Sequence, residues 1–351
     1  MSWKRFREKL TNWELWPFNL IYAPIGPLWL WYALKARAFW WFTPANPTLT
    51  FAGFEGEGKK EMYSLLPDEL YPPTIYVEPS QSFDEIRQLV AAKGLVYPIC
   101  VKPQVGLKGL LFRKVDNEEK LKIYHQRVPV SYLIQSLVEA PLEVSVFYYR
   151  YPDKEKGVIS GFIQKDMMHV IGDGKRTLWE LILQHPKAKH RLEEMRIKHE
   201  TQLKTILPVG EKYSLTHAAN LNRGARFTNL QHQIDDRLLH LFDPLSHRCS
   251  WYYGRYDLKC NSVEELKQGK FIILEFNGAG AEPNHVYNAN FSWGKALKEF
   301  AHHWKVLYQI GKYNHKHNGV KYWGNREGYQ WLKQAGKHGQ LLEKFDREIL
   351  I

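Results

Sequence analysis

The 351-residue sequence holds only three cysteines, Cys100, Cys249 and Cys260, none in a C-x-x-C pair. That excludes a disulfide framework and a cysteine-rich zinc cluster, and a reducing compartment is the expectation. The chain also lacks a G-x-x-x-x-G-K-[ST] phosphate loop, an H-E-x-x-H helix and a G-x-S-x-G elbow, so the corresponding nucleotidase, metalloprotease and serine hydrolase readings fall away. Acidic residues are in deficit, 37 Asp and Glu against 49 Lys and Arg, for a formal net charge of +12. An anionic partner follows: phosphate, acidic substrate or anionic lipid. No nucleic-acid recognition module is visible, so nucleic acid is not expected. Apolar material is plentiful, at 44% hydrophobic and 14% aromatic, which excludes a disordered chain. The length suits two or three domain-sized units.

Residues 1–58 read as a segment of their own. Seven of the thirteen tryptophans lie there: Trp3, Trp13, Trp16, Trp29, Trp31, Trp40 and Trp41. Leu15 to Leu34 is twenty residues without a charge, long enough to cross a bilayer as a helix. Pro17, Pro24, Gly26 and Pro27 interrupt it, so a simple span is not expected. Basic residues before it and Ala36-Arg37-Ala38 after it imitate a secretory signal, but the stretch is too long, too aromatic and broken by proline. Two readings stand. The basic, tryptophan-rich surface rests against the cytoplasmic leaflet as a peripheral contact, or the aromatics pack on the remaining protein or in an oligomer interface.

From residue 59 helices and strands alternate. Glu61–Leu66 reads as a short helix, Pro73–Val77 as a strand, and Ser82–Lys93 as a helix with Phe83, Ile86, Leu89 and Val90 on one face. Tyr97–Pro103 is an apolar strand that delivers Lys102 at its end. Gly106-Leu107-Lys108-Gly109 and a strand over Leu110–Val115 follow. This is a flap whose N–H groups and Lys108 can cover phosphates, or else a plain surface hairpin. Further strands are read at Tyr132–Val138, Val144–Tyr149, Gly254–Leu258 and Phe271–Asn277. Residues two apart on a strand share a face, so Glu275 and Asn277 are co-facial, and Asp257 on an adjacent antiparallel strand can join them. Two carboxylates and an amide oxygen are hard ligands suited to Mg²⁺ or Mn²⁺. The competing reading is a solvated sheet face.

This order of parts resembles the ATP-grasp superfamily over about residues 59–300, in particular D-alanine–D-alanine ligase, cyanophycin synthetase and glutathione-synthetase-like ligases. Gly254-Arg255-Tyr256-Asp257 and Leu274-Glu275-Phe276-Asn277 look like the ligases' G-R-x-D and L-E-x-N pair. Pro98–Pro103 is similar to their lysine strand, and residues 135–143 to their adenine hinge. Val170–Ile182 and Asn220–Ala225 resemble segments of the cyanophycin and fused glutathione synthetases. Three features depart from the pattern: few glycines in the flap, Gln135 where glutamate is common, and Gly278–His285 after Asn277.

The resemblance implies an α+β ATP-grasp fold. Lobes at 59–143 and 144–300 would clasp ATP, ahead of a basic helical extension at 301–351. It implies phosphate contacts from Lys102, Lys108 and one of Lys59 and Lys60. Adenine would lie at Gln135, Ser136, Leu137 and Val138, and ribose at Glu143. The metal would sit on Asp257, Glu275 and Asn277, with Arg255 stabilising a tetrahedral oxyanion.

The implied activity is an ATP-dependent carboxylate ligase that passes through an acyl phosphate. Its partners would be a small-molecule or lipid-linked carboxylate and a nucleophilic co-substrate. A non-catalytic nucleotide-binding partner protein and a hydroxyl kinase are the alternatives. Lys165, Asn222, Arg223, Arg226, Glu282, Asn284 and His285 are candidates to line the substrate site. His302-His303 and His315-Lys316-His317 are expected on solvated faces, since no carboxylate or cysteine has metal-ligand spacing to them. Residues 295–351 carry eleven Lys and Arg against five Asp and Glu, and Leu297, Phe300, Trp304 and Leu307 fit a helix packed on the core.

Overall fold

The computed structural model describes residues 12–216, 224–287 and 291–349. Pro72 and Pro73 hold the chain extended into β1 (Thr74–Val77). With β2 (Ile99–Pro103), β3 (Arg113–Val115) and β4 (Tyr132–Ser136) it makes an antiparallel sheet in the order β1-β4-β2-β3. The Phe83–Ala92 helix is started by a capping box between Ser82 and Glu85, and the Glu118–Arg127 helix by Asn117. Ile86, Val90, Leu121 and Tyr124 of these helices pack with Ile75, Val77, Val101 and Ile134 of the sheet.

The second sheet is larger. Its strands β5 (Leu142–Tyr149) and β6 (Val158–Asp166) are followed by a small excursion, where β7 (His169–Ile171) pairs with β8 (Lys212–Ser214). The helices Leu178–Gln184 and Leu192–Lys198 cover that pair with a core of their own. The sheet is completed by β9 (Arg226–Asn229), β10 (Tyr253–Cys260) and β11 (Ile272–Asn277), in the order β11-β10-β5-β6-β9, all antiparallel. Alternation sorts its side chains. Val144, Val146, Tyr148, Tyr256 and Leu258 pack under the Asp236–Cys249 helix through Leu238, Phe242 and Leu245. Glu143, Ser145, Arg255, Asp257, Glu275 and Asn277 take the other face. The molecule is α+β and carries two sheet-bearing lobes, as expected.

The aromatic N-terminal residues fold onto the second lobe. Trp41, Phe42 and Phe51 are fully buried with Tyr308 and Ile310 of the Trp293–His317 helix, and Trp13 is buried beside Tyr287. The uncharged stretch breaks into short helices, Phe18–Tyr22 and Gly26–Ala36. No helix among the described residues is long and apolar enough to cross a membrane. Phe300 and Leu307 are buried and Leu297 and Trp304 partly so, the helix face anticipated from their spacing.

The expected strand over Leu110–Val115 is shorter than its apolar content suggested. Leu111 takes a left-handed backbone (φ 56°) and Lys108 another (φ 49°), which breaks the strand up to Phe112. The loop is instead fastened to the last helix, Asn325–Glu348. Leu111 N–H donates to Asp346 Oδ1 at 2.8 Å, Arg113 Nη1 meets the same oxygen at 2.9 Å, and His338 Nε2 lies 2.8 Å from the Val105 carbonyl. Replacing Asp346 with alanine is expected to cost about 1.5–3 kcal/mol, because a buried N–H and a part-buried guanidinium lose a charged acceptor. The check is a fall in the urea midpoint at unchanged slope.

Candidate active site

Register brings the site together. In β10 and β11, Asp257 stands opposite Glu275, and Arg255 opposite Asn277. In β5, Ser145 stands opposite Asp257. Asp257 is the hub. Arg255 grips it in bidentate fashion, Nε to Oδ1 at 3.0 Å and Nη2 to Oδ2 at 3.1 Å. Lys165 Nζ lies 2.9 Å from Oδ1, Ser145 Oγ donates to the same oxygen, and Asn277 Nδ2 donates to Oδ2 at 3.3 Å. Burial opposes ionisation of Asp257, but Arg255 and Lys165 outweigh it and hold the carboxyl well below the usual range. Glu275 follows the same logic: burial raises its pKa, while Lys59 and then Lys102 more than offset this.

Lys59, not Lys60, faces this site. Its Nζ is 2.9 Å from Glu275 Oε1, whereas Lys60 Nζ sits 5.3 Å from the Tyr76 ring centroid. Gly106 of the flap lies directly over Lys59: a Cβ there would come within 2.8 Å of Nζ. Lys102 Nζ reaches Tyr63 Oη at 3.2 Å and the Leu274 carbonyl at 3.4 Å, and burial lowers its pKa. Lys108 is exposed at the flap turn. Gln135 is buried, with its amide donating to Thr74 Oγ1 at 2.6 Å. Beyond it, Ser136, Leu137 and Val138 are half-buried, and the Val138 carbonyl accepts from Lys259 at 2.8 Å. Glu143 Oε1 is 3.8 Å from Lys165 Nζ, and burial raises its pKa.

All donors at Asp257, Glu275 and Asn277 are oxygens of hard type, the set Mg²⁺ takes. Glu275 Oε2 and the Asn277 side-chain oxygen carry no partner among the described residues. Glu275 and Asn277 therefore offer open oxygens of the right type, whereas both Asp257 oxygens are held by Arg255, Lys165, Ser145 and Asn277.

Of the substrate-site candidates, Lys165 is spoken for by Asp257. Arg226 is exposed and pairs with Asp166, on the face of β6 opposite Lys165. Glu282 is next to the site: its backbone oxygen accepts from Arg255 Nη1 at 3.3 Å, and its Oε1 accepts from the hydroxyls of Tyr22 and Tyr287. Asn284 and His285 are buried behind it. Asn222 and Arg223 lie outside the described residues.

One expectation about histidine is corrected. His315, His317 and His302 are exposed, but His303 is fully buried, and Glu299 stands one turn before it with Oε1 3.4 Å from Nε2. The i, i+4 spacing that places the carboxylate there is present in the chain.

Sequence reading also missed Ser145, Lys259 and Glu57. The Glu57 carboxyl has a buried oxygen without a hydrogen-bond partner, and burial, aided by Glu275, pushes its pKa up to about 7. A cavity was missed as well. About 380 Å³ is enclosed by Tyr22, Trp29, Phe54, Phe300, Trp304 and Glu282, beside the loop that follows Asn277. Its walls come from elements more than 200 residues apart, and singly they read as core. That loop needs its glycine: a Cβ at Gly280 would fall 1.9 Å from the Phe54 carbonyl oxygen.

No family model and no curated protein sequence matches the chain. Among solved structures it is similar to a D-alanine–D-alanine ligase from Bacillus anthracis, at 14% identity over 73% of this chain and 68% of that one, with a TM-score of 0.40. A D-cycloserine synthetase, DcsG, matches at 16% identity over 72% and 70%, TM-score 0.42. The ATP-grasp ligase PsnB, complexed with a minimal precursor, matches at 14% over 72% and 60%, TM-score 0.39.

Glu57 gives a pH test in the metal-free protein. Its folded pKa of about 7 lies above the usual 4.5, so the folded state binds the extra proton and stability falls as pH rises between these values. Glu57→Gln is expected to match the wild type below pH 4.5 and to exceed it above pH 7, by on the order of 1–3 kcal/mol. Urea melts across the window check this. A constant difference between the two proteins contradicts it.

Proposed function

We propose that the protein is an ATP-dependent carboxylate ligase of the ATP-grasp type, acting on an apolar or lipid-linked substrate. The observation that carries the reading is the convergence of Asp257, Glu275 and Asn277 with Arg255, Lys59 and Lys102 in the cleft between the two lobes. Lys59, Lys102 and the flap with Lys108 would bind the phosphates of ATP. The backbone at Ser136–Val138 would take adenine, with Gln135 behind it, and Glu143 the ribose. Asp257, Glu275 and Asn277 would hold Mg²⁺ or Mn²⁺, which neutralises phosphate charge when bound.

A substrate carboxylate oxygen attacks the γ-phosphorus and ADP leaves, giving an acyl phosphate. An amine nitrogen then attacks the carbonyl carbon. The C–N bond forms, the C–O bond to phosphate breaks, inorganic phosphate departs and the nitrogen loses its proton to water. Arg255 would stabilise the oxyanion of that step, and no side-chain nucleophile is needed.

The aromatic cavity beside Glu282 supports an apolar substrate. Phe18 and Leu30 on its rim are 63% and 56% exposed, and Leu15, Leu20, Trp31 and Leu34 continue the apolar surface. With a net charge of +12, this surface suits peripheral contact with an anionic cytoplasmic leaflet.

Calorimetric titration of Mg-ATP tests the site. Micromolar binding is expected for the wild type, and loss of magnesium dependence for Asp257→Asn/Glu275→Gln. Hydroxylamine trapping tests the chemistry: a hydroxamate marks the acyl phosphate, whereas a stable phosphate ester marks a kinase. Sedimentation with anionic liposomes at low salt is expected, and to weaken in Leu30→Glu/Leu34→Glu. A full-length protein that stays in the supernatant overturns the peripheral contact.

A further inference from the structure

A second cluster of ligating side chains lies on the Arg255 face of the large sheet, away from Asp257. His285 comes from the short turn Asn284–Val286 that ends the loop after Asn277. Glu299 and His303 come from the Trp293–His317 helix, four residues apart and so on one face. Glu299 Oε1 is 3.2 Å from His285 Nε2 and 3.4 Å from His303 Nε2, and one ligand atom from each of the three residues falls within 4.8 Å of the others. Two donors bound tetrahedrally at about 2.0–2.1 Å from one metal ion are separated by about 3.3 Å, so both measured edges match and only the imidazole–imidazole edge has to close.

The second observation is an unpaired group. His303 is fully buried, and its Nε2 makes no hydrogen bond although it faces Glu299. Its other nitrogen, Nδ1, lies 3.3 Å from the Tyr253 hydroxyl, and its ring stands edge-on to Phe147 with centroids 4.5 Å apart. Those contacts fix the ring. With the proton on Nδ1 and shared with Tyr253 oxygen, Nε2 presents a lone pair to the gap, as outer partners do for metal-bound histidines. His285 is buried as well, and its Nδ1 has no hydrogen-bond partner. A Cβ at Gly161 would meet its Nδ1 at 2.3 Å, so glycine there makes room for the ring. Glu299 is itself 30% exposed, which leaves a path for an ion to enter.

We propose that His285, Glu299 and His303 form a binding site for a divalent transition-metal ion of the zinc class, distinct from the all-oxygen site at Asp257. Two imidazoles and one carboxylate select such an ion over Mg²⁺, which prefers oxygen throughout. The ion ties the Trp293–His317 helix to the loop that carries Glu282, whose backbone oxygen accepts from Arg255 Nη1. The site is therefore a staple behind Arg255, and it does not depend on the ligase reading.

The test uses the full-length protein, stripped with a chelator and reconstituted with Zn²⁺, with metal content measured by mass spectrometry. One zinc per chain is expected in the wild type and also in Asp257→Asn/Glu275→Gln. Zinc is expected to be lost, with affinity falling about 100-fold or more, in His303→Ala and in the near-isosteric Glu299→Gln. Co²⁺ should give the intense d–d bands of a low-coordinate nitrogen and oxygen site in the wild type, bleached by Zn²⁺, and Zn²⁺ should raise the melting temperature of the wild type and of Asp257→Asn/Glu275→Gln but not of His303→Ala or Glu299→Gln. Folding is checked in each variant by circular dichroism, and Glu299→Gln stands in if His303→Ala unfolds. A folded wild type that takes up no zinc overturns the proposal. So does zinc that survives in Glu299→Gln with unchanged affinity, or that disappears with the Asp257 and Glu275 substitutions.

Discussion

A buried carboxylate surrounded by cations is the constraint on which the rest of this structure depends. Asp257 lies in the middle of the larger sheet, where an unpaired charge would be prohibitively costly. It is tolerated because Arg255, Lys165, Ser145 and Asn277 all converge on its two oxygens. Those partners come from four neighbouring strands, so the network holds only if β11, β10, β5 and β6 keep their register. A slip of one residue in any of them would turn a polar or charged side chain into the apolar core under the Asp236–Cys249 helix. The polar network and the hydrophobic core thus specify the same strand alignment from opposite faces.

The first lobe meets this network through few groups. Lys59 reaches Glu275, and Lys102 reaches the Leu274 carbonyl beside it. Tyr63 supports both, stacked on Tyr71 and bonded to the same carbonyl. Beside these charged contacts the lobes also share an apolar one, because Met62, Tyr63, Leu66 and Leu133 pack into the core of the second lobe with Val144 and Phe276.

What was legible in the chain follows from period and spacing. Glu275 and Asn277 share a face because they are two apart on a strand, and the lysine of β2 sits where an apolar run ends. Lys59 could not be told from Lys60, because the choice is made by the rotation of a five-residue helix on β11, which no local pattern encodes. Ser145 looks like any small residue in a strand, and Lys165 reads as a candidate substrate contact; only the pairing of β5 with β6 and β10 brings both to Asp257. His303 was misjudged because its carboxylate neighbour was passed over in favour of its histidine neighbour, and because His285 arrives from a distant loop. The aromatic N-terminal residues were half legible. Trp13 and Trp41 are core, while Phe18 and Leu30 are surface, and a tryptophan count cannot separate the two.

The fastening of the flap to Asp346 has a consequence for the order in which the protein is made. The flap turns near residue 106, yet Leu111 N–H and Arg113 are held by a side chain within the Asn325–Glu348 helix. During synthesis both sheets can form while that helix is still inside the ribosome. Only when Asp346 has emerged and the helix has swung back across the first lobe can the loop take its final shape. The loop therefore stays unlatched until a helix residue 235 positions beyond Leu111 has been made, and a ribosome that stalls short of that point releases a folded body with a loose flap.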